Sequence, residues 1–80
     1  MGLDAEMGRL KWRCRRGMRE LDKVTEGYLL KHYVDATPSQ RRAFQHLLAL
    51  PDPELLALIY QYTTADDTDI AHVLAAMRRL

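Results

Sequence analysis

Cysteine is almost missing from this chain: Cys14 stands alone among 80 residues. An intramolecular disulfide is therefore excluded, and a reducing compartment is the natural setting. Long apolar runs are missing as well. The longest, Leu55 to Tyr60, covers six residues, far short of the ~20 that a membrane-spanning helix needs, so no membrane insertion is expected. The first ten residues, MGLDAEMGRL, carry Asp4 and Glu6 and no apolar centre, unlike a secretory signal or a transit peptide. Glu6 also stands where a myristoylation signal prefers Ser or Thr. The expected address is the cytoplasm. With only four glycines and three prolines there is no Gly-rich phosphate loop, low-complexity tract or internal repeat. Eighty residues allow a single domain, 1–80, and leave no room for a deep, dry active site.

Hydrophobic residues make up 48% and charged residues 29%, the balance of an ordinary globular domain. The net charge is only +1, yet it is unevenly placed. Between Arg9 and Lys23, seven basic side chains face Glu20 and Asp22, leaving +5 there and −4 over the other 65 residues. Clustered charge of this kind steers association with an acidic partner more than it stabilises a fold.

Helical spacing recurs along the chain and strand alternation does not. Leu3, Met7, Leu10 and Cys14 form one stripe, predicting a first helix to about Arg16. Gly17 then reads as the left-handed residue that ends it, with Arg13, Arg15 and Arg16 at the negative end of the dipole. A second helix runs through Met18, Leu21, Val24 and Tyr28 toward Tyr33, weakened at Gly27. In TPSQRRAFQHLLAL, Thr37 is an N-cap, Pro38 the first helical residue and Gln40 the partner in a capping box. PDPELLALIYQY repeats the device, with Asp52 as cap, Pro53 first, and Leu55, Leu56, Leu58, Ile59 and Tyr62 behind it. A last helix carries Ile70, Val73, Leu74 and Met77, with Asp66, Asp67 and Asp69 at its start. The fold class read from this pattern is all-α, a compact five-helix antiparallel bundle in which short turns make successive helices neighbours.

At 100° per residue Arg9, Trp12, Arg13 and Arg16 share one face of the first helix, away from its apolar stripe. A Trp among guanidiniums suits a protein interface, since both residue types are enriched at hot spots; as a bland alternative, Trp12 is partly buried and the arginines are a solvated face. Gly17 is a helix stop or a place where another backbone comes close. Glu20, one turn into the next helix, would in a merely structural role pair with Arg16 or Lys23. Cys14 reads as a buried structural thiol because it lies on the apolar stripe. His32, His46 and His72 are scattered without zinc-site spacing, and the aspartates near 66–69 lack the glycine and distant glutamate of a calcium loop, so no metal is expected. One basic segment in a chain of pI ≈ 7.9, with acids alternating through the second helix, argues against a nucleic-acid partner.

The stretch RLKWRCRRGMRELDKVTEGYL resembles the small bacterial and mitochondrial FAD assembly factors that promote flavinylation of succinate dehydrogenase. The family's Arg-Gly-x-x-Glu signature is matched by Arg16, Gly17 and Glu20, and its upstream Arg and Trp by Arg9 and Trp12. AFQHLLAL and the Asp-Pro-Glu-Leu at Asp52 to Leu55 extend the similarity from Arg9 to about Met77. The segment KVTEGYLLKHYVDA fits in pattern more than in identity.

The resemblance implies a five-helix bundle and a non-catalytic role. Its expected partners are the flavoprotein subunit of succinate dehydrogenase and, as a second client, that of fumarate reductase, engaged by a monomer. The chain would promote covalent attachment of FAD, bound by the client and not by the factor itself, to a client histidine. The expected contact residues are Arg9, Trp12, Arg13, Arg16, Gly17, Arg19 and Glu20, with no catalytic and no metal-binding residue. Two competing readings are a helical adaptor or regulator that uses the basic face for another acidic partner, and a weak nucleic-acid binder.

Overall fold

The order of caps, turns and apolar stripes produces five helices in the computed structural model, which describes residues 2–61 and 63–80. They are α1 (Gly2–Arg13), α2 (Arg19–Lys31), α3 (Pro38–Leu48), α4 (Asp52–Ile59) and α5 (Thr68–Arg78). Tyr62, expected on the α4 stripe, and the Leu3 side chain, expected on that of α1, lie outside the described residues.

The chain begins α3 as its sequence dictates. Thr37 Oγ1 accepts from the Gln40 amide and Gln40 Oε1 accepts from the Thr37 amide, both at 3.1 Å, so each satisfies a donor the helix itself cannot. At α5, Asp67 Oδ1 accepts from the Ile70 amide at 3.0 Å, and capping accounts for that member of the acidic group. The start of α4 differs from expectation. Pro51 occupies the N-cap and makes no side-chain cap, Asp52 is the first helical residue and Pro53 the second. The Asp52 carboxylate is turned instead to the Arg16 guanidinium, a contact 36 positions away that local spacing cannot reveal.

Each helix buries one stripe: Leu10 on α1; Leu21, Thr25, Tyr28 and Leu29 on α2; Ala43, Phe44, Leu47 and Leu48 on α3; Leu55 on α4; Val73, Leu74, Ala76 and Met77 on α5. Burying a Leu or Phe fully contributes about 1.5–3 kcal/mol, so these stripes outweigh the weak propensity of short helices. Packing centres on α5, which lies against α2, α3 and α4. The bundle is thus organised around its last helix, beyond the neighbour-to-neighbour contacts expected from short turns.

Two aromatic residues join α2 to α3: the Tyr28 ring stacks on Phe44 with centroids 4.8 Å apart, and Tyr33 meets Phe44 at 5.6 Å. Tyr33 falls in the turn after α2 and not in the helix, yet it is fully buried. Its hydroxyl donates to Glu6 Oε2 at 2.8 Å and accepts from Gln45 Nε2 at 2.7 Å, tying α1 to α3. Gly27, which weakens α2 locally, admits a neighbour in return. A Cβ there would stand 2.9 Å from Leu80 Cδ1, so the bare backbone lets Leu80, just past the C-cap of α5, settle against α2.

Candidate functional site

The basic segment splits into an exposed part and an anchored part. α1 ends at Arg13, three residues earlier than its stripe predicts. The Cys14 amide still donates to Leu10 O at 3.0 Å and Lys11 O at 3.2 Å, and Arg15 N donates to Trp12 O at 3.2 Å, which tightens and closes the last turn. Beyond it the chain is drawn away by contacts to α2 and to the end of α3. Arg16 N donates to Asp22 Oδ1 at 2.7 Å. The Arg16 side chain, only 10% exposed, reaches inward: Nε to Asp52 Oδ1 at 2.7 Å, Nη1 to Leu48 O at 2.6 Å, and Nη2 to Leu50 O. These carbonyls belong to the end of α3 and the turn after it, where helix geometry leaves acceptors without partners.

Arg16 therefore corrects the sequence reading in one respect. It does not share an exposed face with Arg9, Trp12 and Arg13, because it is not in α1 and its guanidinium is committed to the bundle. A planar fork with several fixed donors can serve a carboxylate and two carbonyls at once, which Lys could not do. The turn from α1 to α2 is consequently bolted to the α3–α4 corner.

Gly17 follows with φ +84°, in the left-handed region that costs an L-residue roughly 1–2 kcal/mol. It is not the residue that ends α1, as predicted, but the one preceding Met18, the N-cap of α2. It is exposed, and a Cβ built on it would meet no atom within 4 Å. Backbone conformation, not crowding, favours glycine here, and any side chain added would project onto open surface.

Glu20 is exposed in the first turn of α2, where its charge suits the helix dipole. It makes no ion pair with Arg16 or Lys23, so the structural alternative considered for it is not the arrangement found. Arg9, Arg13 and Arg19 are exposed as well. Trp12 is 71% exposed, the most exposed of the large hydrophobic side chains described, and is not the partly buried residue of the bland reading. Arg15 lies over its ring at 5.5 Å, a cation–π contact contributing about 0.5–1 kcal/mol at such a site. Sequence spacing assigned Arg15 only to the helix dipole. Its position three residues after Trp12 was the available signal.

Beneath this surface the site is tied down. Thr25 Oγ1 donates to Leu21 O at 2.7 Å and approaches Cys14 O at 3.3 Å, joining α2 to the end of α1 inside the core. Cys14 is fully buried, and burial pushes its thiol above the ordinary value of 9.0, as befits a structural thiol and not a nucleophile. Among the described residues no group of His, Cys, Asp and Glu could hold a metal ion. Among them, too, no helix is long and apolar enough to cross a membrane.

Five helices, an exposed Trp12 on α1 and a bare glycine on the anchored turn that follows define a small all-α protein. The chain belongs to the family of flavinators of succinate dehydrogenase, whose model matches residues 8–80. It is 40% identical to an FAD assembly factor SdhE of Methylococcus capsulatus over 76 residues, which are 95% of this chain and 92% of that one. Against the protein of the same name from Xylella fastidiosa strain Temecula1 it is 35% identical over 80 residues, 100% of this chain and 82% of the relative. The SdhE of Mannheimia succiniciproducens is 39% identical over 62 residues, 78% and 72% of the two chains. As a member of a family of assembly factors the chain is a helper protein and not an enzyme.

Proposed function

We propose that this chain binds the flavoprotein subunit of succinate dehydrogenase, and that of fumarate reductase as a second client, and promotes covalent attachment of FAD to a client histidine. The observation that carries this reading is the exposed turn at Gly17 and Glu20, held in place by the inward-facing Arg16 and flanked by Trp12. Arg9, Arg13 and Arg19 supply free cations around it for client carboxylates and carbonyls. Glu20 offers an unpaired carboxylate to order client groups, and Trp12 with Arg15 supplies a flat anchor. Arg16 acts through the shape of the turn and not by touching the client.

In this reading the chemistry and the flavin belong to the client. A nucleophilic histidine must meet the flavin in attack geometry, and holding reactants in place can remove several kcal/mol from a barrier. A factor that binds the competent arrangement of the client more tightly than the others shifts the population toward it without contributing a reacting group. The factor works as a monomer in the cytoplasm, where the client folds. The test is co-expression with a succinate dehydrogenase flavoprotein subunit, followed by denaturing electrophoresis and in-gel flavin fluorescence. More covalent flavin than the subunit acquires alone is the expected result. No increase would overturn the proposal.

A further inference from the structure

Glu20 belongs to two features at once. Besides flanking the exposed turn, it lines a groove of about 330 Å³ between α2, α4 and the end of α5. The groove wall is mostly apolar, with Val24, Leu56, Ile59 and Leu80 half-buried and Tyr60 exposed around one hollow. Charge sits on it as well, from Lys23 and Arg78 together with Glu20. Arg78 does not fold across the opening, because its Nε and Nη2 donate to Ile59 O at 2.8 Å and Leu58 O at 2.7 Å. Those bonds satisfy the carbonyl end of α4 and fix the guanidinium at the edge.

We infer that this groove receives one bulky aliphatic or aromatic side chain of the flavoprotein partner, with a neighbouring partner carboxylate meeting Lys23 and Arg78. The inference rests on the docking role proposed above for the Gly17–Glu20 turn, with which the groove is continuous through Glu20. Size favours a single side chain: the volume is at the small end of the roughly 300–1,000 Å³ typical of ligand pockets. Two cations against one carboxylate on the lining select an acidic flank. The pairing of a desolvated apolar pocket with an adjacent charge is also the usual composition of an interface hot spot.

The test is titration calorimetry of the full chain with purified flavoprotein subunit, comparing four variants whose helical circular dichroism is recorded first. Val24→Trp fills the groove with the chain's own side chain and should weaken binding about tenfold or more. Val24→Thr keeps the shape but makes the wall polar; a several-fold loss is expected from it, and it decides the matter if the tryptophan variant fails to fold. Leu30→Ser, on an exposed part of α2 outside the groove, should bind as the parent does. Gly17→Arg reports on the turn. If Gly17→Arg loses binding while both Val24 variants bind normally, the groove inference is overturned and the docking turn stands. If the Val24 variants lose binding and Gly17→Arg does not, the groove stands and the turn is the wrong centre. Parental binding by all of them overturns both.

Discussion

Arg16 Nε lies 2.7 Å from Asp52 Oδ1, joining the turn between the first two helices to the opening residue of α4. The same guanidinium donates to the carbonyls of Leu48 and Leu50. One side chain thus satisfies three acceptors from the α3–α4 corner and sets the attitude of the exposed turn.

Removing it should be costly. Arg16→Ala leaves Asp52 without its partner and two carbonyls without donors, and a loss of about 2–4 kcal/mol in urea unfolding is expected. Arg16→Lys keeps the charge but not the fork and should fall between the two. A loss below about 0.5 kcal/mol for the alanine variant, the size of a surface pair, would contradict the anchoring role.

Gly17 should separate folding from binding. A side chain there costs about 1–2 kcal/mol of backbone strain, but its Cβ meets no other atom within 4 Å. Gly17→Ala and Gly17→Arg should therefore unfold at similar urea concentrations and retain helical circular dichroism. Gly17→Arg should abolish client binding; a variant that still drives flavinylation would remove Gly17 from the docking surface.

Glu20→Ala touches no ion pair of the bundle and loses only a favourable dipole interaction, about 0.3–1 kcal/mol. Folding should persist while covalent flavin on the co-expressed client falls. Unchanged flavin yield in the fluorescence gel would take Glu20 out of the mechanism.

Gln61 follows the C-cap of α4 with φ +64°, a conformation that suits glycine better than glutamine. Gln61→Gly should raise stability by up to about 1 kcal/mol, seen as a higher urea midpoint at an unchanged slope. A lower midpoint would mean that the glutamine side chain holds the turn.

Burial raises the Cys14 thiol above 9.0 and the Tyr28 hydroxyl above 10.0; Tyr33 is raised by burial and then by its bond to Glu6. An acid whose pKa is higher in the folded state keeps its proton longer there. Its contribution is complete below the unfolded pKa and is lost as pH rises through the folded one. Urea midpoints should thus be level through neutral pH and decline above about pH 9. Cys14→Ala should lower stability at pH 7 yet flatten the first part of that decline.

The helices were legible because their signals are local. Thr37 with Gln40, Asp67 before Ile70, and the apolar stripes of α2, α3 and α5 all act within a few residues, and the structure reproduces them. Arg16 was misplaced because the partners of its guanidinium are 32 to 36 positions away. For the same reason Asp52, a good cap by type, serves a different group. The groove beside Glu20 could not be read at all, since α2, α4 and α5 meet there only after folding.

The seclusion of Cys14 has a practical side. The chain's single thiol is shut inside the bundle, so a cysteine introduced at exposed Leu30, away from the docking turn and the groove, would be the one that maleimide dyes reach. A fluorophore on α2 and another on a client could then report their separation during assembly, without first stripping the natural thiol from the protein.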